Sequence, residues 1–294
     1  MTDFDVRDAS FESIVKPGAS VERLASGMTF TEGPVWIEAD QALLFSDIPA
    51  SRIMRWSRAD GLSVWRQASN QANGNYLDHN ARLVTCEHES RAVTRTETDG
   101  SITVLADRWD GKRLNSPNDL VVDRSGAIWF TDPPYGLPGF PDLSAQEQAA
   151  YNVFRLDPET GEITIATDTV FHPNGLCFTS DERHLYIGNS SEEYRRIMRF
   201  AVNADRSLSA GEVFAQIEVG VPDGMRIDEQ DRLFCTGKDA IYVYRPDGML
   251  IGKIFIPEMA TNCCFGGPER STLFVTAVTS LYAIDINTKG HQRP

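Results

Sequence analysis

The sequence predicts an all-β fold, a six-bladed β-propeller. Two observations lead to this prediction: one strand–turn–strand unit recurs along the chain, and its copies are spaced at the length of a propeller blade. The clearest copy covers residues 171–189, with an apolar strand at 176–178, a polar turn at 180–183 and a second strand at 184–187. Short β-rich runs bounded by turn residues are typical of β-hairpins.

Six copies of this unit can be aligned on a polar residue or glycine at the start of the first strand. Successive anchors lie 42, 43, 56, 49 and 39 residues apart, and a period of this size is typical of four-stranded propeller blades. The longest step contains the Pro- and Gly-rich segment 133–141 and then 144–150, which indicates a loop insertion in the third blade. The six anchors are Gly33, Asn75, Asn118, Asn174, Asp223 and Asn262.

From the N-terminus, residues 1–20 lack periodicity, and we expect them to form a loose surface arm. A strand over 21–25 is expected to complete the last blade, since such closure removes open sheet edges. Within the insertion only 144–150 looks helical. With no linker and no low-complexity segment, residues 1–294 are predicted to form a single domain. The six units start at residues 31, 74, 118, 174, 223 and 262.

The composition restricts the possible partners. A net charge of −14 and a pI near 4.8 argue against nucleic acid and anionic membranes, because no basic field is available to bind phosphate. The five cysteines are odd in number, which favours buried free thiols over disulfides. Residues 1–20 lack the features of a signal peptide, and no apolar stretch has the length of a membrane span. We therefore expect a cytoplasmic protein, and the sequence does not indicate its oligomeric state.

The propeller fold predicts where a functional site would lie. The innermost strands all run the same way along the channel, so residues at one point of the repeat converge at one mouth. That point carries carboxylates and amides, oxygen donors that suit a hard divalent cation. Ca²⁺ is expected first, with Mg²⁺, Mn²⁺ or Zn²⁺ as alternatives, but no Cys or His pair has structural-zinc spacing. The residues at this point are Glu32, Asn75, Asn118, Asn174, Asp223 and Asn262.

Each of these residues also has a purely structural interpretation. Asn-Gly and Asp-Gly are common turn pairs, so Asn174 or Asp223 alone would be interpreted as a turn residue. Glu32 alone would be interpreted as a solvated surface acid. The shared position in the repeat favours a metal site, because turns alone do not require a carboxylate or an amide in all six units.

Several motifs resemble the gluconolactonase family, which includes regucalcin (senescence marker protein) and luciferin-regenerating enzyme. The resemblance extends from about residue 21 to residue 286, and the order of the motifs makes it specific. It implies a six-bladed propeller with one divalent metal ion in the channel and lactonase activity. The motifs are Thr31-Glu-Gly-Pro-Val-Trp36, Ser116-Pro-Asn-Asp-Leu120, Phe130-Thr-Asp132, Pro173-Asn-Gly-Leu176 and Pro222-Asp-Gly-Met225.

The same resemblance implies roles for individual residues. Glu32, Asn174 and Asp223 match the metal ligands, and Asn118 matches a residue that contacts substrate or completes the metal shell. Asp223 also matches the family's proposed general base. One position departs from the regucalcin branch, which has a substrate-binding Arg where this chain has Ser116. The sugar-acid preference of that branch is therefore not transferred.

The ring suggests how a lactone would be hydrolysed. A cation there would polarise the lactone carbonyl and stabilise the charge of the tetrahedral intermediate. The attacking water needs a base within hydrogen-bond reach, and both Asp223 and Glu32 remain open as that base. We expect a small lactone, a sugar lactone in particular, as the substrate.

Three further residues are expected to contact the substrate. His88 follows a predicted strand, while Asp132 and Tyr135 lie where the third hairpin enters the insertion. Loops at such places often form specificity walls. A structural hydrogen bond for His88 and simple loop packing for Tyr135 are the alternatives.

Two other functions are compatible with the same ring. An esterase or organophosphate hydrolase would polarise a different acyl or phosphoryl oxygen with the same metal. A non-enzymatic calcium-binding propeller would use the ring without turnover. The blades differ in loop length and lack WD-type signatures, which favours an enzyme over this last alternative.

Overall fold

The structure, a computed structural model, describes residues 3–291. Within these residues it confirms an all-β, six-bladed β-propeller, with six antiparallel sheets of four or five strands. Residues 1–2 and 292–294, which the predicted single domain includes, lie outside the described residues.

The first half of the chain forms three blades, each listed from the channel outwards. The elements that precede them are β1 (Phe4–Val6), α1 (Ala9–Glu12) and β2 (Glu22–Ser26). Blade one contains β3 (Thr31–Ile37), β4 (Ala42–Asp47), β5 (Arg52–Ser57) and β6 (Gly61–Gln67). Blade two contains β7 (Ala72–Leu77), β8 (Leu83–Glu87), β9 (Ala92–Thr96) and β10 (Ile102–Ala106). A hairpin of β11 (Arg108–Trp109) and β12 (Lys112–Arg113) precedes blade three, which contains β13 (Leu120–Val122), β14 (Ile128–Thr131), β15 (Val153–Leu156) and β16 (Ile163–Thr167).

The second half forms the other three blades in the same manner. Blade four contains β17 (Pro173–Phe178), β18 (His184–Asn189), β19 (Arg196–Ala201) and β20 (Glu212–Gln216). Blade five contains β21 (Met225–Ile227), β22 (Leu233–Thr236), β23 (Ala240–Tyr244) and β24 (Leu250–Phe255). Blade six contains β25 (Ala260–Gly266), β26 (Thr272–Ala277) and β27 (Ser280–Asp285).

Blade six is completed from the other end of the chain. Strand β2 pairs antiparallel with β27, from Glu22 opposite Ala283 to Ser26 opposite Ser280. The prediction of a closing strand at residues 21–25 is thus confirmed to within one residue. Closure of this kind joins the first and last parts of the chain and leaves no open edge between blades six and one.

The loose arm predicted over residues 1–20 is wrong for much of its length. Strand β1 pairs with β24 as a fifth strand of blade five. The helix α1 then turns Phe11 and Ile14 into the core, where both are fully buried. No periodic pattern is visible in this part of the sequence because the strand has three residues and the helix four.

The predicted helix at 144–150 is also wrong, since this segment consists of turns and bends. Besides a hydrogen bond from Gln146 Nε2 to Gln148 O within the segment, its polar groups bind neighbouring segments. Arg91 Nη1 donates to Ala145 O at 3.0 Å, and Gln148 Nε2 donates to three carbonyls of the β11–β12 hairpin region. Among the described residues no helix is long and apolar enough to cross a bilayer.

The core lies between the blades, where neighbouring sheets pack face to face. The largest cluster spans blades two to four and includes the fully buried Trp129, Phe130 and Phe154. Trp129 meets Phe178 of the next blade edge-on, with 5.4 Å between ring centroids. All five cysteines are free and buried, which confirms the prediction from their odd number.

Replacing Phe11 with Ala tests whether the N-terminal segment belongs to the folded unit. The Phe11 ring packs so closely on Gly252 that a Cβ there would lie 2.5 Å from it. Loss of a large buried aromatic side chain costs about 3–5 kcal/mol, and urea unfolding should show a loss of this order. Val6→Ala, at an exposed site of the same segment, is the control and should change stability by less than about 0.5 kcal/mol. A Phe11→Ala effect as small as the control's would mean that the segment is detached in solution.

Candidate functional site

A cavity of about 830 Å³ opens at the mouth of the channel where the first residues of the inner strands converge. This size falls in the usual range for small-molecule sites. Six of the seven predicted site residues line it; they are Glu32, His88, Asn118, Tyr135, Asn174 and Asp223. The structure therefore brings together side chains from blades one to five that are far apart in sequence.

An irregularity in the inner strands determines which residue reaches the mouth. In β7 the pairing with β8 passes from Ala72 directly to Asn75, which leaves Asn73 and Gly74 in a bulge. Equivalent shifts occur in β3, β17 and β25. A bulge re-aims the side chains beside it, and in β3, β7 and β17 the residue directly before the glycine is the one that lines the cavity at the mouth.

The predicted ring is wrong in two of its six positions because of this bulge. In blade two the cavity is lined by Asn73, whereas Asn75 is buried and donates to Gly33 O and Ser46 Oγ, both at 2.9 Å. In blade six Asn262 occupies the position that glycine has in blades one, two, four and five. It does not line the cavity, and its Nδ2 donates to Glu32 Oε2 at 2.9 Å.

Glycine follows the ring residue because the inner strands approach each other very closely. A Cβ on Gly33 would lie 2.1 Å from Asn73 O, and one on Gly175 would lie 2.1 Å from Asp223 O. Both distances are far below van der Waals contact. Only glycine lets the carbonyl of the next blade come this near, so the glycines set the diameter of the ring.

The two carboxylates of the ring are buried and destabilise each other's charge. Burial and the nearby Asp119 raise the pKa of Glu32 to about 7. Burial, Glu32 and Asp119 together raise the pKa of Asp223 well above its usual value, against a hydrogen bond from Asn174. A cation between these groups would remove this repulsion, so the arrangement is suited to binding one.

Glu32 is also fixed in orientation. Its Oε2 accepts hydrogen bonds from the backbone N–H of Gly33 at 2.7 Å and from Asn262 Nδ2 at 2.9 Å. With Oε2 occupied in this way, Oε1 is the oxygen that remains for a ligand in the cavity.

His88 and Asn73 form a polar pair in the cavity wall. The Nε2 of His88 lies 3.0 Å from Asn73 Nδ2, and burial lowers the pKa of His88 to about 4. The imidazole is therefore neutral at pH 7 and accepts from the amide. Asn73 Oδ1 has no hydrogen-bond partner among residues 3–291. The signal that identifies Asn73 in the sequence is its pairing with Gly74, as in Asn174-Gly175.

Aromatic side chains form one wall of the cavity. Tyr135 contacts His172 edge-on, with 5.7 Å between ring centroids, and both line the cavity. Burial and the charge of Asp223 raise the pKa of Tyr135, which keeps its hydroxyl protonated. His172 was not among the predicted site residues, and its neighbour Phe171 stacks on it at 4.6 Å.

Asp132 is the one predicted site residue that does not line the cavity. It is fully buried, and its Oδ2 accepts from the backbone N–H of Asn115 at 2.7 Å. Burial raises its pKa to about 7. Its hydrogen bonds hold the segment that leads into blade three. Asp132 therefore supports the fold beside the cavity and does not contact the cavity itself.

Within residues 3–291 no group of three or more His, Cys, Asp or Glu side chains is placed to hold a metal ion. The ring at the mouth contains two carboxylates, and its other donors are amides. The central metal site of the predicted fold therefore remains a prediction.

Together, the fold and the site define a six-bladed β-propeller with a carboxylate–amide ring in a cavity at one mouth of its channel. The chain belongs to the SMP-30/gluconolactonase/LRE-like family, whose model matches residues 30–279. The resemblance seen in the motifs is thereby confirmed.

Individual relatives agree with this assignment. The chain is 32% identical to a gluconolactonase of Zymomonas mobilis, covering 95% of this chain and 85% of that protein. The solved structure of a gluconolactonase from Xanthomonas campestris superposes with a TM-score of 0.89 at 36% identity, over 97% of this chain and 96% of that one. Regucalcin from Agrobacterium tumefaciens, a calcium-binding protein, superposes with a TM-score of 0.77 over 94% and 97% of the two chains. At 21% identity that comparison shows a shared fold only.

Gly175→Ala tests the close approach of blades four and five. The added methyl group would meet the backbone at Asp223, which cannot move without shifting the ring, and overpacking of this kind costs about 1–3 kcal/mol. Gly188→Ala in the same blade is the matched control, since the nearest atom there is the flexible end of Met225 at 3.3 Å. Chemical denaturation should show a larger decrease in the free energy of unfolding for Gly175→Ala than for Gly188→Ala. Equal losses in the two variants would contradict the steric argument.

Proposed function

We propose that this protein is a metal-dependent lactonase that hydrolyses a sugar lactone, with its ring residues holding one divalent cation. The observation that supports this most is the pair of buried carboxylates, Glu32 and Asp223, whose pKa values are raised by burial and by neighbouring carboxylates beside a ligand-sized cavity. Buried like charges of this kind are stable only when a partner neutralises them.

The class of reaction follows from family membership. The family and the identity to gluconolactonases across almost the whole chain identify the protein as a hydrolase of carboxylic esters, a lactonase. We further propose a sugar lactone as the substrate, one divalent cation as the cofactor, attack by an activated water as the mechanism, and a cytoplasmic location.

The donors fit a hard cation. Glu32 and Asp223 offer carboxylate oxygens and Asn174 an amide oxygen, with Asn118 beside them in the same cavity. Oxygen-only donors favour Ca²⁺ first and Mg²⁺ or Mn²⁺ next, while Zn²⁺ prefers nitrogen and sulfur ligands. When bound, the cation supplies Lewis acidity to the lactone carbonyl and neutralises the charge that develops on its oxygen.

Asp223 is better placed than Glu32 to act as the base toward water. One oxygen of Glu32 is already occupied by Gly33 N–H and Asn262, so Glu32 has no oxygen to spare beyond the one available for the cation. Asp223 is hydrogen-bonded by Asn174 and keeps capacity to accept from a water. Neutral His88 has its Nε2 occupied by Asn73, and it is proposed to contact the substrate with Tyr135 and Asn118.

The site also accounts for the departure from the regucalcin branch. Ser116 does not line the cavity: its Oγ donates to Pro133 O at 2.6 Å and accepts from Gly136 N–H at 2.9 Å. These bonds hold the loop that carries Tyr135. The position therefore supports the cavity wall and provides no cation for a carboxylate of a substrate, which favours a neutral polyhydroxylated lactone.

Glu32→Gln tests the cation site. Removing one of two ring charges should weaken Ca²⁺ binding to chelator-treated protein by at least about tenfold while circular dichroism stays unchanged. In the parent protein, protonation of Glu32 competes with the cation, so affinity should fall as the pH drops below about 7, and the variant should lose part of this dependence.

Asn174→Ala should also weaken Ca²⁺ binding, and titration calorimetry measures the Ca²⁺ affinity of both variants. Glu87→Gln is the matched control for Glu32→Gln, because Glu87 is equally buried but lies outside the cavity. Its Ca²⁺ affinity should equal that of the parent protein. Undiminished Ca²⁺ affinity in Glu32→Gln would refute the ligand set.

Asp223→Asn separates catalysis from cation binding. The change keeps an oxygen ligand but removes the basicity, so turnover at saturating metal should fall by roughly 10²–10⁴-fold. Lactone hydrolysis is followed over a pH series, and the acidic limb of the profile should disappear in the variant.

Three other outcomes would contradict the proposal. Turnover near that of the parent protein would leave Asp223 as a ligand only. If the parent protein hydrolyses esters or phosphotriesters but no lactone with any cation, the esterase or organophosphate hydrolase is the correct function, and no turnover at all would indicate a binding propeller.

A further inference from the structure

A buried charged network lies directly beside the ring and has no part in the function described so far. Its centre is Arg226 of β21, which is 2% exposed. The Nη1 of Arg226 lies 3.8 Å from Asp119 Oδ2 and donates to Met225 O at 2.7 Å. Its guanidinium carbon lies 5.6 Å from the centroid of the Tyr76 ring in blade two.

Asp119 is the only acidic partner of this arginine within residues 3–291. Arg226 Nε and Nη2 have no hydrogen-bond partner in the same part of the chain. A buried guanidinium is costly unless a negative charge compensates it, and here that charge is the Asp119 carboxylate.

The network leads to Glu32 through one side chain. Asn262 Nδ2 lies 3.4 Å from Asp119 Oδ2 and 2.9 Å from Glu32 Oε2, and its Oδ1 accepts from Cys263 N–H at 2.8 Å. The amide of Asn262 is thus held between the two carboxylates. Because Glu32, Asp119, Arg226 and Asn262 come from blades one, three, five and six, the network fixes the relative positions of these inner strands.

The charges of this region form a simple balance. Three carboxylates lie in this region: Asn262 bridges Glu32 and Asp119, and Asp223 lines the same cavity as Glu32. Arg226 offsets the charge of Asp119. When Glu32 and Asp223 are both ionised, as cation binding requires, the remaining charge of −2 belongs to the ring and matches a divalent cation.

We propose that the Arg226–Asp119 pair is a positioning and charge-balancing element that holds Glu32 in place and makes the ring selective for a divalent over a trivalent cation. This inference rests on the cation site of the proposed function. Arg226 acts on the cation site through Asp119 and Asn262, and neither Arg226 nor Asp119 lines the cavity.

The experiment compares three variants of the chelator-treated full chain: Arg226→Met, Asp119→Asn and the double variant. Ca²⁺ binding is measured by calorimetry and Tb³⁺ binding by luminescence, and binding that persists when both ring carboxylates are replaced, in Glu32→Gln with Asp223→Asn, is subtracted as surface binding. Arg226→Met leaves a third uncompensated carboxylate, so the ratio of Tb³⁺ to Ca²⁺ affinity should rise by about tenfold or more. Asp119→Asn leaves an uncompensated arginine and should weaken Ca²⁺ binding by about tenfold.

The double variant carries the decisive result. With both charges removed, both quantities should return to within about threefold of the parent protein. The double variant buries no unpaired charge, so it is expected to fold even if a single variant does not. Circular dichroism checks its fold. Arg232→Met is the matched control: Arg232 is similarly buried and pairs with Asp228 at 2.6 Å outside the cavity.

Each remaining outcome overturns the inference. An unchanged Tb³⁺ to Ca²⁺ ratio in Arg226→Met, the same change in Arg232→Met, or no recovery in the double variant would each reduce the pair to a structural role. In those cases the parent protein still binds Ca²⁺, and the proposed function stands. A parent protein that binds neither cation would refute the cation site and this inference together.

Discussion

The close approach of the six inner strands is the constraint on which the rest of this structure depends. The channel is narrow because backbone carbonyls of one blade lie where a side chain of the previous blade would otherwise be, as at Gly33 and Gly175. Hydroxyl groups hold the same contacts, with Ser46 Oγ donating to Asn73 O at 2.7 Å and Thr261 Oγ1 donating to Thr31 O at 2.7 Å. The ring of functional side chains is thus a consequence of how tightly the blades close.

This closure brings acidic groups together in a place from which water is largely excluded. Asp119 raises the pKa of Glu32, and Glu32 and Asp119 raise that of Asp223, so the protein offsets only part of the charge from within. Asp119 pairs with the positive charge of Arg226, whereas Glu32 and Asp223 accept hydrogen bonds but pair with no cationic side chain within residues 3–291. An incomplete internal balance of this kind is typical of a site that is completed by a ligand, and it connects the proposed cation site to the packing of the channel.

The cavity wall has a different origin, since much of it comes from the insertion in blade three. Tyr135 is held by a loop whose ends are fixed by Ser116 and by the fully buried Asp132. Gly136 packs directly on His88, where a Cβ would lie 2.2 Å from the ring. The loop therefore places an aromatic side chain against the cavity and keeps the imidazole of blade two in its rotamer. A change in the sequence of such a loop would alter which substrate fits the cavity and would leave the ring unchanged.

The sequence alone was sufficient for the number of blades, the closing strand, the free thiols and the ring residues Glu32, Asn118, Asn174 and Asp223. Repeats of forty to fifty residues and short polar pairs ahead of apolar strands are local features, and they can be found without coordinates. Only the tertiary structure decided that Asn73 faces the cavity in place of Asn75, that Asn262 supports Glu32, and that Asp132 lies outside the site. These assignments depend on a one-residue bulge and on contacts across the channel, such as that of Arg226 with Asp119. Neither leaves a periodic trace in the sequence, because both are set by how the blades meet after the chain has closed.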